Sequence, residues 1–157
     1  MKYVKVDLGD DGVHHLDPNP YLQELSKISA GLPGGARKFA EDPGRYDFFG
    51  RRCVRDLRIE DIEADEVEGY EVDMEIRFKG TWKHDGDLLV RYRAVSRFSL
   101  DVDPDRLPFF FSKPFDVGRL QLDEILPLER GCSHEVQFIG GRLLVECRDL
   151  AAEWVVR

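Results

Sequence analysis

Tyr70-Glu71-Val72-Asp73-Met74-Glu75-Ile76-Arg77-Phe78 has an apolar residue at every even position and a charged residue at every odd one. A period of two puts alternate side chains on opposite faces of a strand, so this stretch is a strand with one buried and one wet face. The return strand follows His84-Asp85-Gly86. A two-residue turn at Asp85-Gly86 would set Phe78 against Arg93 and Met74 against Arg97, burying guanidinium groups against apolar surface. A three-residue loop instead pairs Trp82 with Leu88, Phe78 with Tyr92, Ile76 with Ala94, Val72 with Phe98 and Tyr70 with Leu100. It brings Asp73 to Arg97 on the outer face. Gly86 then serves as the loop's positive-φ residue. The expectation is one hairpin running from Tyr70 to Val102.

Working outward, Met1 to Leu8 alternates like a strand and closes on the turn cluster Gly9-Asp10-Asp11-Gly12. His14-His15 is expected on a loop, where adjacent histidines share no metal site. Asp17-Pro18-Asn19-Pro20 opens a helix, with Asn19 as cap and Pro20 in the first turn. Tyr21, Leu22, Leu25 and Ile28 form its apolar stripe, and Gly31-Leu32-Pro33 ends it. A second short helix fits Gly35 to Glu41. Residues 17–44 are thus a helical segment that must dock on the sheet, being too short to stand alone. Cys53 to Ala64 is a strand with a bulge near Glu60-Asp61, and Glu63 to Glu68 an acidic turn. Gly118 to Leu126 is a further strand, and Pro127 to Gly131 a loop. Gly140-Gly141 turns a last hairpin, pairing Phe138 with Leu143, Val136 with Val145 and His134 with Cys147. Leu150, Trp154 and a valine at 155 or 156 pack the chain's end on the sheet. The two hairpins echo each other: Glu75-Ile76-Arg77-Phe78 against Glu135-Val136-Gln137-Phe138, and Leu88-Leu89-Val90 against Leu143-Leu144-Val145.

Together these predict a mainly β fold, with α+β the alternative: an antiparallel β-sandwich or open barrel of about seven to nine strands, with one or two short N-terminal helices. Residues 1–157 make a single globular domain, long enough to bury roughly two-thirds of its unfolded surface.

The net charge is −8, from 31 acidic and 23 basic residues. That balance argues against nucleic acid or an anionic membrane as partner, since both reward clustered positive charge. No apolar run is long enough for a membrane helix. The N-terminus lacks the apolar core of a secretion signal. Three cysteines, Cys53, Cys132 and Cys147, are too few and too odd for a disulfide framework, which predicts a reduced, cytoplasmic setting.

No Cys-x-x-Cys, His-Glu-x-x-His or phosphate-cradling glycine loop occurs. Catalytic residues, metal ligands and cofactors are therefore expected to be none. The weak metal or nucleophile candidates are His134, Cys147 and Cys132, which the last hairpin places on one face. The acidic residues from Glu60 to Glu75 are spread along strands and read as a solvated face. The stronger candidate is the outer face of the Tyr70–Val102 hairpin: Glu71, Asp73 and Glu75 on one strand, Arg91, Arg93 and Arg97 on the other. Trp82 or the Phe109–Phe111 run would be its apolar anchor. As a class, small acidic β-rich proteins without a catalytic constellation resemble bacterial immunity and adaptor proteins. The resemblance covers composition and architecture, and it implies a non-enzymatic module whose partner is another protein. The alternatives are a small-molecule carrier with an apolar cavity, and a hydrolytic or metal-dependent enzyme using His134 and Cys147.

Overall fold

A computed structural model describes residues 1–103, 105 and 116–157. The Phe109–Phe111 run lies outside them. Eight strands form two four-stranded antiparallel sheets stacked as a sandwich, and two short strands form a separate ribbon. The first sheet holds β3 (Arg58–Val67), β4 (Glu71–Lys79), β5 (Gly86–Arg93) and β10 (Asp149–Val156), in the order β10-β5-β4-β3. The second holds β6 (Arg97–Val102), β7 (Leu120–Leu128), β8 (Gly131–Phe138) and β9 (Gly141–Cys147), in the order β6-β9-β8-β7. The ribbon pairs β1 (Lys5–Leu8) with β2 (His14–Asp17), so His14-His15 lies in a strand rather than a loop.

The alternation in β4 works as expected: Met74, Ile76 and Phe78 are buried with Leu88, Val90 and Tyr92 of β5. The register differs. Phe78 pairs with Leu88, Ile76 with Val90 and Met74 with Tyr92. Parity survives over Met74, Ile76 and Phe78, whereas Val72 is exposed and Tyr70, at φ +63°, precedes the strand and is 91 % exposed; the strands are also offset by four residues because the connection is the longer loop 80–85. Gly86 is needed for close approach rather than for a turn: a Cβ there would stand 2.1 Å from the Val155 carbonyl oxygen of β10. The return strand also does not run on to Leu100. Ala94, at φ +50°, breaks it, and β6 leaves for the second sheet. Arg97 therefore lies opposite Glu146, while Asp73 accepts a bond from the Ala94 backbone N–H.

The irregularity in β3 falls between Ile59 and Asp61, at the expected bulge, but the strand continues through the expected acidic turn to Val67. In the last hairpin the turn sits one residue earlier than Gly140-Gly141. Phe138 pairs with Gly141, Val136 with Leu143, His134 with Val145 and Cys132 with Cys147.

Between the sheets, Phe78 and Phe138 stack with ring centroids 6.5 Å apart. Ile76, Leu88, Leu122, Ile125 and Leu143 close around them, each at most 2 % exposed. α1 (Asn19–Ala30) contacts β7, and α2 (Gly34–Ala40) contacts β10. Pro18 rather than Asn19 precedes the first turn of α1, with Asp17 Oδ1 accepting the Asn19 N–H. Tyr21 and Ile28 are buried and Leu22 is exposed, so the apolar stripe is narrower than its sequence pattern. Asp149 accepts the Gly35 and Ala36 N–H groups that α2 leaves unpaired at its start. No described helix is long and apolar enough to cross a membrane.

Candidate interaction site

Two constellations stand out, one buried and one exposed. The buried one surrounds Asp123 on β7. Arg45, from the segment between α2 and β3, places Nε 3.3 Å and a terminal nitrogen 3.1 Å from its two carboxylate oxygens. His134 Nε2 lies 2.8 Å from Asp123 Oδ2, and the Tyr92 hydroxyl lies 2.8 Å from His134 Nδ1. The Asp123 carboxylate can only accept, so Nε2 donates to it, and in the neutral ring Nδ1 accepts from the Tyr92 hydroxyl. Arg45 is 1 % exposed, an extreme position for a guanidinium. Tyr21, Phe39 and Tyr46 turn their rings to it at 4.6–5.3 Å, replacing water with π faces. The Tyr46 hydroxyl also donates to the Asp123 carbonyl. Burial works against ionisation of Asp123, but Arg45 and His134 outweigh it and hold the carboxyl below the usual carboxylate range.

This network is shut off from solvent, with the terminal nitrogens of Arg45 and Asp123 Oδ1 held by charge and ring faces rather than by well-aligned hydrogen bonds. Asp123 and His134 are 1 % and 2 % exposed, and both ring nitrogens of His134 are engaged. The expected His134–Cys147 pairing does not form: Val145 sits opposite His134, and Cys147 faces Cys132 with the sulfurs 3.8 Å apart. A glycine at 141 close to β6 and Val117 takes the place across from Phe138, and this moves the register by two residues. Among the described residues, no three His, Cys, Asp or Glu side chains converge as a metal site requires.

The expected bipolar face is largely neutralised internally. Arg91 Nε bonds Glu75 at 2.8 Å and also reaches Glu153 at 3.2 Å, while Arg148 pairs with Glu71. Arg97 lies on the other sheet, 3.7 Å from Glu146. Arg93 stays on β5, exposed beside Asp149 across the strand pair. Trp82 does not join this face.

Trp82 belongs to the exposed constellation. It rides on the loop 80–85, which is held on every side except at its own indole. The Thr81 N–H donates to His84 Nδ1 at 2.9 Å, and His84 Nε2 reaches the Cys53 carbonyl at 3.1 Å. The His84 ring stacks on Trp154 of β10, and Arg157 bonds the Gly80 and Thr81 carbonyls. Trp82 is nevertheless 96 % exposed. Phe49, 97 % exposed, lines the same groove of about 460 Å³. The lining carries four cations, Arg51, Arg55, Lys83 and Arg119, against one carboxylate, Asp56. Lys83 bonds Asp56 at 2.7 Å and Arg55 approaches it at 3.3 Å. Burial opposes the charge on Asp56, but the Lys83 bond and charge prevail and keep its carboxyl below the ordinary range. Arg51 in turn bonds Asp85 at 3.1 Å, so Arg51, Arg55 and Lys83 are paired within the protein, and the groove is an aromatic patch with cations in excess of carboxylates.

The sequence pattern singles out Trp82 and none of the residues that the structure places around it. Phe49 and Arg51 come from the segment before β3, Arg119 from the approach to β7. Tyr46-Asp47-Phe48-Phe49-Gly50 has the composition of an aromatic linker, and nothing in it announces a groove. A detectable signal is the basic pair Arg51-Arg52, one glycine after Phe48-Phe49, in an otherwise acidic chain. No family model matches the sequence, and no curated protein or solved structure is significantly similar to the chain.

Proposed function

We propose that the chain is a non-enzymatic protein-binding module, immunity- or adaptor-like and acting in the cytoplasm, that takes an acidic segment of another protein onto the Phe49–Trp82 groove. The observation that carries this reading is the pair of almost fully exposed aromatic rings on one basic groove. Aromatic residues and arginine are the types that concentrate binding energy in interface centres. A folded loop spends many hydrogen bonds holding Trp82 in water, which its own core gains nothing from. Four cations, Arg51, Arg55, Lys83 and Arg119, still exceed the two carboxylates that pair with them, Asp56 and Asp85, and this excess favours an acidic partner. The −8 charge of the whole chain disfavours the long phosphate backbone of a nucleic acid.

The other readings have less support. A carrier needs space where Phe78, Phe138 and Leu122 fill the sandwich. An enzyme using His134 needs a nitrogen that a substrate can reach, and both are bonded in the core.

The test is a photo-crosslinking amino acid placed at Trp82, and as a control at Glu63 on the acidic β3 strand, in the source cells. The expected outcome is one protein crosslinked from position 82 and absent from position 63. The purified pair should then lose at least tenfold in affinity with Trp82→Ala or Phe49→Ala, about 1.4 kcal/mol per tenfold. A reconstituted complex with unchanged affinity after both substitutions would refute the reading.

A further inference from the structure

We propose that Cys132 and Cys147 form an oxidisable dithiol that hydrogen peroxide closes to a disulfide, stapling the β8–β9 hairpin. The two residues are direct cross-strand partners on adjacent antiparallel strands, and their sulfurs stand 3.8 Å apart. Directly opposed residues in such a pair have Cα atoms about 4.5–5.5 Å apart, inside the range a disulfide spans. Closing the S–S distance to about 2.05 Å needs side-chain rotation without a change of register.

Both thiols are buried, at 0 % and 2 % exposure, so a small uncharged oxidant suits the site better than a bulky disulfide. They lie at the end of their hairpin: Cys132 is the second residue of β8 and Cys147 the last of β9, beside the turn 128–131. Leu128, the last residue of β7 before that turn, is 41 % exposed. The neighbouring Cys132 thiol, together with burial, pushes the Cys147 thiol upward, so the closed core disfavours the Cys147 thiolate. Oxidation therefore proceeds through a local opening of this end of the hairpin that lets peroxide reach a thiolate.

The chemistry balances. One thiolate attacks the O–O bond of peroxide, forming a sulfenic acid and releasing hydroxide, which takes up the proton the thiol lost. The second sulfur displaces the sulfenic oxygen as water and forms the S–S bond. Two thiols and one peroxide become one disulfide and two waters. Cys53 serves as an internal control. It is equally buried, but its sulfur faces His84 Nε2 at 3.9 Å, and it pairs with neither of the other two cysteines.

The folded protein is titrated with hydrogen peroxide, and the free thiols, the intact mass and the peptide map are followed. Free thiols should fall from three to one, with loss of two hydrogen masses and a Cys132–Cys147 linked peptide. The oxidised form should melt at a higher temperature than the reduced one. Cys53→Ala should oxidise as the wild type does, while Cys132→Ala and Cys147→Ala should yield no linked peptide. Sulfinic or sulfonic acid on either cysteine without a linked peptide would overturn the proposal. So would a linked peptide containing Cys53, or methionine oxidation that precedes any loss of thiol.

Discussion

In residues 58–102, three strands run as a meander and the fourth leaves to join the other sheet; in residues 120–156 the same happens in reverse. β3, β4 and β5 receive β10 at their free edge, while β7, β8 and β9 receive β6. The exchange is tied at the corner by Ser96 N–H to the Glu146 carbonyl and Arg148 N–H to the Arg93 carbonyl. Phe78 and Phe138, which occupy matching places in the two sequence echoes, are the pair that stacks between the sheets. The halves differ in loop length and in what covers them. The six residues 80–85 leave Phe78 opposite Leu88, whereas a tight turn leaves Phe138 opposite Gly141. Equal strand patterns therefore fix which face is buried, and the loop fixes which residues meet. Coverage differs too. Each half sets two glutamates face to face, Glu63 with Glu75 and Glu124 with Glu135. In the first half Arg91 and solvent answer them. In the second, the N-terminal segment lies over the strand: Glu124 accepts the Lys2, Tyr3 and Val4 N–H groups at 2.6–2.8 Å, and the Met1 amino group meets Glu135 at 2.6 Å.

The largest expected effect tests the shared element. Phe78→Ala and Phe138→Ala should each destabilise by about 3–5 kcal/mol in urea unfolding, since both rings are at most 1 % exposed. Because the rings touch, the double substitution should cost less than the sum. Strictly additive losses would mean that the two halves do not share this contact. The next effect tests the difference between the halves. Glu124→Ala strands three backbone donors and should cost about 3 kcal/mol or more, at about 1–3 kcal/mol for each unsatisfied group. Glu63→Ala, on an exposed strand, should stay within about 0.5 kcal/mol. Equal losses at the two positions would break the contrast in coverage.

Which parts of this were legible in the sequence follows from the reach of each signal. The period of two in β4 and β8 names the inward side chains, because it depends only on a residue's neighbours. Met74, Ile76, Phe78, Val136 and Phe138 are all in the core. Register is not local. Trp82 lies in the loop and not opposite Leu88, because His84, Thr81 and Cys53 brace a longer loop, and nothing in His84-Asp85-Gly86 announces a bond to the Cys53 carbonyl. The break at Ala94 was equally hidden, since an alanine at φ +50° carries no turn signature. Asp123 and Glu124 carry no signal of their own among 31 acidic residues, yet both are 1 % exposed. Their meaning comes from Arg45 and from the N-terminal segment, each more than 75 positions away.

The smallest effect concerns the loop that only the first half possesses. His84 is buried against Trp154, and burial, reinforced by the Lys83 charge, holds its imidazole below the ordinary histidine range. A neutral ring is what the loop uses: Nδ1 accepts the Thr81 N–H while Nε2 donates to Cys53. Protonation fills Nδ1 and removes that acceptor. The folded state therefore binds this proton less readily than the unfolded chain, whose histidine titrates near about 6.5. The contribution is complete above that pH and is lost as the pH falls through it towards the lower folded value. Wild type and His84→Gln compared in urea at pH 8 and pH 5 should show a gap that favours the wild type at pH 8 and narrows at pH 5. Amide exchange at Thr81 in the wild type should speed up over the same interval beyond its intrinsic pH dependence, while exchange in β8 does not. A stability gap that stays constant or widens towards pH 5 would show that His84 holds the loop by packing on Trp154 and not through its neutral ring.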